Sequence, residues 1–382
     1  MAEQVKPWRV LHACESVTDA VALAEAESSV GMNPQLLSRE YWNRGGASKD
    51  VSLMNAWHDV RDWRHALNEV ESLTAVQILH AHSFASAMAG VRGSLPVVFD
   101  FASTLEEIAT HQSQGTSGPW LLRSLRVAEQ FALSRSGAVV AHTHTMKKMA
   151  NERGASAQNT FVVPEPWTAA GAVGDVDWLA KQAIHPDRDL VIFALPDKRG
   201  LEFLLKSFAA IMETLPQAVF VAECEHSSLT KLTREMGLAQ ALRWVKPAER
   251  AQAMVWADVV IAPATDDHGA NPAMLQAMAT GRAVVAADVE ANRECSRQGR
   301  GCIWYDPGSD TDLAQRTAFV ARNREFARSL GENGREHIAA TRAPAVVGKK
   351  YDEIYQHVHA RRTENTNIKV EMPKIYALGM QT

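Results

Sequence analysis

Apolar positions along the chain fall into short runs, and the stretches between those runs repeat their apolar residues at helical spacing. Alternation of that kind predicts buried, mainly parallel strands covered by helices on both faces. In the first half the strand runs are Arg9–Ala13, Val76–His80, Pro96–Phe101, Ala138–Ala141 and Phe161–Val163. Helices are expected over Ala20–Val30 (closed by Gly31), within Val51–Leu73, over Ala85–Val91, from Pro119 onward and over Met146–Arg153, with a loop between Phe101 and Pro119. In the second half the strand runs are Leu190–Ala194, Ala218–Ala222, Arg243–Val245, Val259–Ala262, Ala283–Ala286 and Cys302–Tyr305. Helices are expected over Leu201–Leu215, Ser228–Met236, Ala248–Trp256, a stretch ending near Arg342, and Val346–Arg361. Between Pro164 and Arg188 the pattern lapses into Ala, Gly, Pro and Asp, which reads as the connection between two α/β domains, and Glu364–Thr382 reads as a loosely held tail.

The densest stretch runs from Val259 to Asp288 and packs two strands, a helix and a polar loop into one unit. Val259–Ala262 ends at Pro263, and Asp266, Asp267, His268, Gly269 and Asn271 follow where the carboxyl end of a strand opens. Doubly wound sheets bind ligands at such ends. Asn271 can cap a helix whose first residue is Pro272, and Gly281 closes that helix before the strand Ala283–Ala286. Free amides at the helix start would suit an anionic group.

Composition narrows the setting. With 382 residues and 46% hydrophobic content the chain is long enough for two domains with separate cores. Forty basic against forty-four acidic residues leave a net charge of -4, so no general attraction to nucleic acid or to an anionic membrane is expected. The four cysteines show no C-x-x-C spacing and read as reduced thiols. The N-terminal stretch MAEQVKPWRV lacks the apolar core of a signal peptide, and no apolar run reaches membrane-helix length, so a soluble cytoplasmic protein is expected.

The frame Ala257-Asp258-Val259-Val260-Ile261-Ala262-Pro263, Gln276-Ala277-Met278-Ala279 and Gly281-Arg282-Ala283-Val284-Val285 resembles the GT-B glycosyltransferases, specifically the retaining family-4 type. The resemblance spans roughly Arg9 to Arg361 in element order. It implies a GT-B fold: a Rossmann-like acceptor domain over residues 1–165, a Rossmann-like nucleotide-sugar domain over 166–345, a helix over 346–361 returning to the first domain, and a tail over 362–382. It also implies that a nucleotide sugar serves as donor substrate, with no cofactor and no metal. The acceptor would be a glycan, a lipid-linked sugar or a small molecule, and a peripheral or protein partner is left open.

Residue by residue, the chemical positions depart from that family. Its Glu-x7-Glu pair reads His268 and Gln276 here. Gln276 can accept one ribose hydrogen bond where a carboxylate accepts two, and His268 brings an imidazole without fixed negative charge; the alternatives are a helix-face glutamine and a ligand-free loop histidine. The family's diphosphate clamp of Arg and Lys aligns with Ala194 and Arg199, with Lys198 adjacent. The glycine pair after the first strand is absent, leaving Glu15-Ser16-Val17-Thr18, and the catalytic-site histidine after the strand Pro96–Phe101 aligns with Ala102. The resemblance thus implies His268, Asp100 and His82 as candidates at the reacting centre. Arg199, Lys198, Gly269, Ala270, Asn271, Pro272, Ala273, Gln276, Lys246 and Ser16 are its candidates for holding the donor. His80 reads as packed, and His142-Thr143-His144 as structural residues sharing a strand face. Gly-x-Ser-x-Gly, Walker A, Gly-x-Gly-x-x-Gly and His-Glu-x-x-His patterns are absent. The expected function is sugar transfer, and the alternative is a GT-B scaffold that has lost transfer and acts as a binding or partner subunit.

Overall fold

The computed structural model describes residues 7–42, 53–73, 75–112, 118–167, 174–185, 187, 189–194, 201–223, 233–263, 271–296 and 299–365. The first half alternates β1 (Arg9–Cys14), α1 (Val21–Ser28), β2 (Asn33–Ser38), α2 (Arg39–Trp42), α3 (Leu53–Leu73), β3 (Ile78–Ala81), α4 (Phe84–Gly90), β4 (Val97–Phe101), α5 (Leu105–Gln112), α6 (Pro119–Arg135), β5 (Ala138–Ala141), α7 (His144–Glu152) and β6 (Thr160–Val162). The second continues through α8 (Val176–Lys181), β7 (Leu190–Ala194), α9 (Leu201–Thr214), β8 (Ala218–Glu223), β9 (Leu242–Val245), α10 (Arg250–Trp256), β10 (Val259–Ala262), α11 (Pro272–Ala279), β11 (Ala283–Ala287), α12 (Glu290–Cys295) and β12 (Cys302–Tyr305). Three helices close the described chain: α13 (Asp310–Arg322), α14 (Arg324–Arg342) and α15 (Pro344–Asn365).

These strands form two six-stranded sheets, ordered β2-β1-β3-β4-β5-β6 and β12-β11-β10-β7-β8-β9. Every described pairing is parallel. Each sheet therefore has one point where the strand order reverses, between β1 and β3 in the first and between β7 and β10 in the second. Ligands of doubly wound sheets bind outside the carboxyl ends at that point.

The strands are apolar on both faces because each sheet is covered twice. In the second sheet Ile192, Ile261 and Val285 pack beneath α9 and α13 with Leu204, Phe208 and Leu313, while Phe193, Val260 and Val284 face Met274, Leu275 and Met278 of α11. In the first sheet Leu11, Leu79 and Phe99 meet Trp63 and Met88, while Val10, Ile78 and Val140 are covered by Val347, Tyr351, Ile354 and Tyr355 of α15. Thus the last helix completes the core of the first sheet. Trp8 Nε1 donates to Asp352 Oδ1 at 2.7 Å, and Gly348 lies so close to α1 that a Cβ there would stand 2.3 Å from the Ala26 carbonyl oxygen.

Four readings of the sequence need correction. Asn33–Ser38 is a strand although it contains Pro34, because it lies at the sheet edge and the missing amide hydrogen is needed least there. Leu105–Gln112 is helical within the expected loop: Thr104 and Glu107 form a reciprocal cap, with Glu107 N donating to Thr104 Oγ1 at 3.1 Å and Thr104 N to Glu107 Oε2 at 2.9 Å. The expected connection contains α8, capped by Asp175 and anchored by buried Trp178 and Leu179 in the second core. His142 and His144 share no strand face, because Thr143 is the N-cap of α7: His142 is nearly buried and His144 exposed. The expected helix Ser228–Met236 lies mostly outside the described residues.

Candidate functional site

Histidines and carboxylates gather at the reversal point of the first sheet. His12 on β1 and His80 on β3 are register partners, so both side chains leave the same face side by side. His82 follows β3, Asp100 sits near the end of β4, and His142 follows β5. Parallel strands ending at similar depth bring the last three together, although 60 residues separate His82 from His142.

Asp100 is the hinge of the array. Its Oδ2 lies 3.4 Å from His82 Nδ1, and its Oδ1 lies 3.0 Å from His142 Nε2. The other His142 nitrogen, Nδ1, lies 2.9 Å from the Val163 carbonyl oxygen, which can only accept. Both ring nitrogens of His142 therefore lie beside oxygens that can only accept, which favours the protonated ring. Burial opposes that charge, but Asp100, Glu165 at 3.9 Å and the Val163 carbonyl outweigh it and raise His142 to about 9. Burial likewise pushes the Asp100 carboxyl upward, and His142 with His82 overcomes this and holds it well below the usual carboxylate range.

Behind this pair runs a buried chain of polar groups. His12 Nδ1 lies 3.0 Å from His82 Nε2, and His12 Nε2 lies 2.9 Å from Glu27 Oε2. Tyr355 donates to Glu27 Oε1 at 2.5 Å and accepts from His80 Nδ1 at 2.7 Å. Burial, followed by the His82 and His12 rings, drives His80 well below its ordinary value and keeps it neutral. The nearest ring nitrogens of His12, His80 and His82 fall within 4.8 Å of one another. Yet the His80 and His82 rings stack at 4.6 Å with planes 11° apart, and a ligating lone pair lies in the ring plane, so these two rings do not aim at one ion.

On the second sheet, β7 and β10 lie side by side with Ala194 opposite Ile261. The segments leaving their carboxyl ends, 195–200 and 264–270, carry Lys198, Arg199, His268, Gly269 and Ala270, and all five lie outside the described residues. Asn271 caps α11, its Oδ1 accepting from Ala273 N at 3.0 Å and Met274 N at 3.3 Å. Those two amides are therefore already engaged, Pro272 has none to offer, and Ala273 is buried. Gln276 is half-buried on the next turn. Lys246 is exposed after β9, and Ser16 caps a short turn after β1, its amide bonded to Asp19 Oδ2 at 2.9 Å.

The carboxyl ends of the two sheets meet near β5 and β11. The amide of His144 at the start of α7 donates to Glu294 Oε1 on α12. Arg342, at the end of α14, donates to the Glu165 carbonyl, and Trp167 N donates back to the Arg342 carbonyl at 2.8 Å. Sequence reasoning passed over His12, Glu27, Tyr355, Glu294 and Arg342 and gave His142 only a structural role, because each stands alone in its local stretch; the one available signal was that His82 and His142 both follow strand ends.

Two parallel sheets opening toward a shared cleft, with a charged array on one side and an Asn-capped helix on the other, define the GT-B class. Sucrose-phosphate synthase from Thermosynechococcus elongatus superposes with a TM-score of 0.72 at 14% identity, covering 93% of this chain and 100% of that one. The Anabaena protein HepE, in complex with UDP and glucose, gives 0.67 at 13% identity over 91% and 99%. In sequence, the alpha-maltose-1-phosphate synthase of Mycolicibacterium smegmatis is 24% identical over 328 residues, 77% of this chain and 82% of that protein. Residues 189–323 match the family described as Glycosyl transferases group 1. The chain has the GT-B fold and carries a glycosyl transferases group 1 domain over residues 189–323.

Proposed function

We propose that this enzyme transfers a hexosyl group from a nucleotide sugar, with UDP-glucose the first donor to test, to a small hydroxyl-bearing acceptor. Configuration is retained and no metal or other cofactor takes part. The observation that carries the reading is the His82–Asp100–His142 array at the reversal point of the first sheet, across from the capped helix α11. Support for the donor comes from HepE, whose structure holds UDP and glucose. The acceptor class follows the two synthases, whose names specify sugar phosphates as products.

In this reading Gln276 accepts a ribose hydroxyl hydrogen, and Arg199 with Lys198 neutralises the donor diphosphate. His268 is assigned to the transferred sugar, and Gly269 and Ala270 to binding the diphosphate. The family places a histidine after β4 where this chain has Ala102; here the ring comes instead from His82 or His142, both held by Asp100. An imidazolium fixed beside a buried carboxylate is a preorganised donor, and it stabilises charge developing on sugar or phosphate oxygens as the glycosidic bond breaks. Closing the cleft excludes water, so the acceptor hydroxyl attacks in its place. The reaction would take place in the cytoplasm, and no described helix is long and apolar enough to cross a membrane.

The test is a panel of nucleotide sugars with hexoses and hexose phosphates as acceptors, run on the natural chain and on Asp100→Asn. Transfer from one donor is expected, with kcat falling about 100-fold in the variant, the lower range for losing a positioned proton-handling group. A panel with no transfer, or a variant at full rate, would overturn the reading.

A further inference from the structure

A cavity of about 210 Å³ lies where the two domains meet, and His142, Thr143, Glu294, His337, Arg342 and Lys350 are among its lining residues. It is smaller than the roughly 300 Å³ at which whole-ligand sites begin, so it fits one charged group of a larger molecule. Its charges are uneven. Arg342 is only 4% exposed, yet its guanidinium donates to the Glu165 carbonyl at 3.3 Å and the Cys295 sulfur at 3.8 Å, and among the described residues it meets no carboxylate at ion-pair distance. Lys350, half-buried on α15, likewise makes no ion pair among the described residues; burial and then Arg342 push its amine below the ordinary value, against the pull of Glu353. Glu294, the carboxylate on the wall, is committed to the His144 amide. Asp100 and Glu165 lie 3.0 and 3.9 Å from His142 Nε2.

A buried guanidinium without a counter-charge is unfavourable by several kcal/mol unless an anion completes it. Arg342 offers a planar fork of donors that matches a phosphate, and Lys350 adds a point charge. We infer that this pocket is the seat of the acceptor's phosphate group, held by Arg342 and Lys350, with the sugar extending toward Asp100. The sugar-phosphate identity rests on the proposed transfer reaction, whereas the anion seat itself does not.

Titration calorimetry decides it, using inorganic phosphate, glucose 1-phosphate, glucose 6-phosphate, glucose and UDP as probes on the natural chain, Lys350→Gln and Arg342→Gln. At least one hexose phosphate should bind at least tenfold more tightly than glucose and displace inorganic phosphate. Both variants should weaken that binding about tenfold or more while UDP affinity stays within twofold. Lys350→Gln removes a side chain without an ion-pair partner among the described residues, so it tests the seat even if Arg342→Gln fails to fold. Hexose phosphates that bind no better than glucose, unchanged affinity in a folded variant, or phosphate that competes only with UDP would each overturn the inference. Inorganic phosphate bound in the pocket but not displaced by either hexose phosphate would overturn the acceptor assignment. Absence of sugar transfer from every donor would instead defeat the transfer reading, and the phosphate titration would still stand.

Discussion

At the scale of single residues, the Asp100–His142 pair gives the protein a pH-dependent contribution with a definite sign. His142 is raised to about 9, so its share of stability is fully present below the free-histidine value near 6.5 and is lost as pH rises through about 9. Asp100 is held far below its ordinary value, so its share is present above about pH 4 and fades in acid. The melting temperature of the natural chain should therefore exceed that of Asp100→Asn most clearly between about pH 4.5 and 6.5, with the gap narrowing toward pH 9. A gap that widens from pH 6.5 to 9 would contradict the pairing. Tyr355→Phe makes a second test: it removes a hydroxyl that serves both Glu27 and His80, leaving two buried polar groups short of a partner. It should destabilise by about 1–3 kcal/mol in urea unfolding.

At the scale of elements, the contact between α1 and α15 turns on Gly348. An exposed glycine-to-alanine change inside a helix ordinarily stabilises by about 0.5–1 kcal/mol. Here the new methyl would meet the backbone oxygen of Ala26, which cannot swing aside as a side chain can. Gly348→Ala should therefore destabilise by about 1–3 kcal/mol, the range for overpacking, and a higher melting point would show that the helices part easily. The cap of α11 is expected to behave additively: Asn271→Ala frees two amides and should lower stability by about 1 kcal/mol. Gln276, one turn on, should act through the donor instead. Gln276→Ala should raise the donor KM severalfold with little change in melting temperature, and equal KM values would remove its ribose role.

At the scale of the whole molecule, α15 ties the end of the chain to the first sheet. Val347, Tyr351, Ile354, Tyr355 and Val358 are all buried in that core, and each large apolar side chain contributes about 1.5–3 kcal/mol by burial. That sum is comparable with the stability of a domain. A chain cut after Ala343 should lose the near-ultraviolet circular dichroism of the first domain and bind hydrophobic dyes, while a cut after Asn365 should leave both unchanged. Folding of the two domains is thus coupled through the last of the described helices. Arg342 and the start of α15 also border the interdomain pocket, so the same connection that completes one core shapes the proposed site.

Much of this architecture was readable from the residues in order. Eleven of the twelve described strands match or nearly match apolar runs such as Val259–Ala262, because a doubly covered strand needs little but continuous apolar character. The frame around Gln276–Ala279 and Gly281 likewise carried the fold resemblance, since helix start, helix end and strand are all specified locally. Asn33–Ser38 was hidden because its position at the edge, and not its composition, is what permits Pro34. The charged site was hidden for a related reason. His12, Glu27, His82, Asp100, His142 and Tyr355 are scattered over more than 340 residues and each alone reads as an ordinary polar side chain. Only parallel register, the return of α15 and the exclusion of water bring them into one buried polar array, and only the meeting of two domains leaves Arg342 buried with no carboxylate at ion-pair distance among the described residues. Local pattern determines where strands and helices form; burial and charge pairing depend on which of them meet, and that was decided in three dimensions.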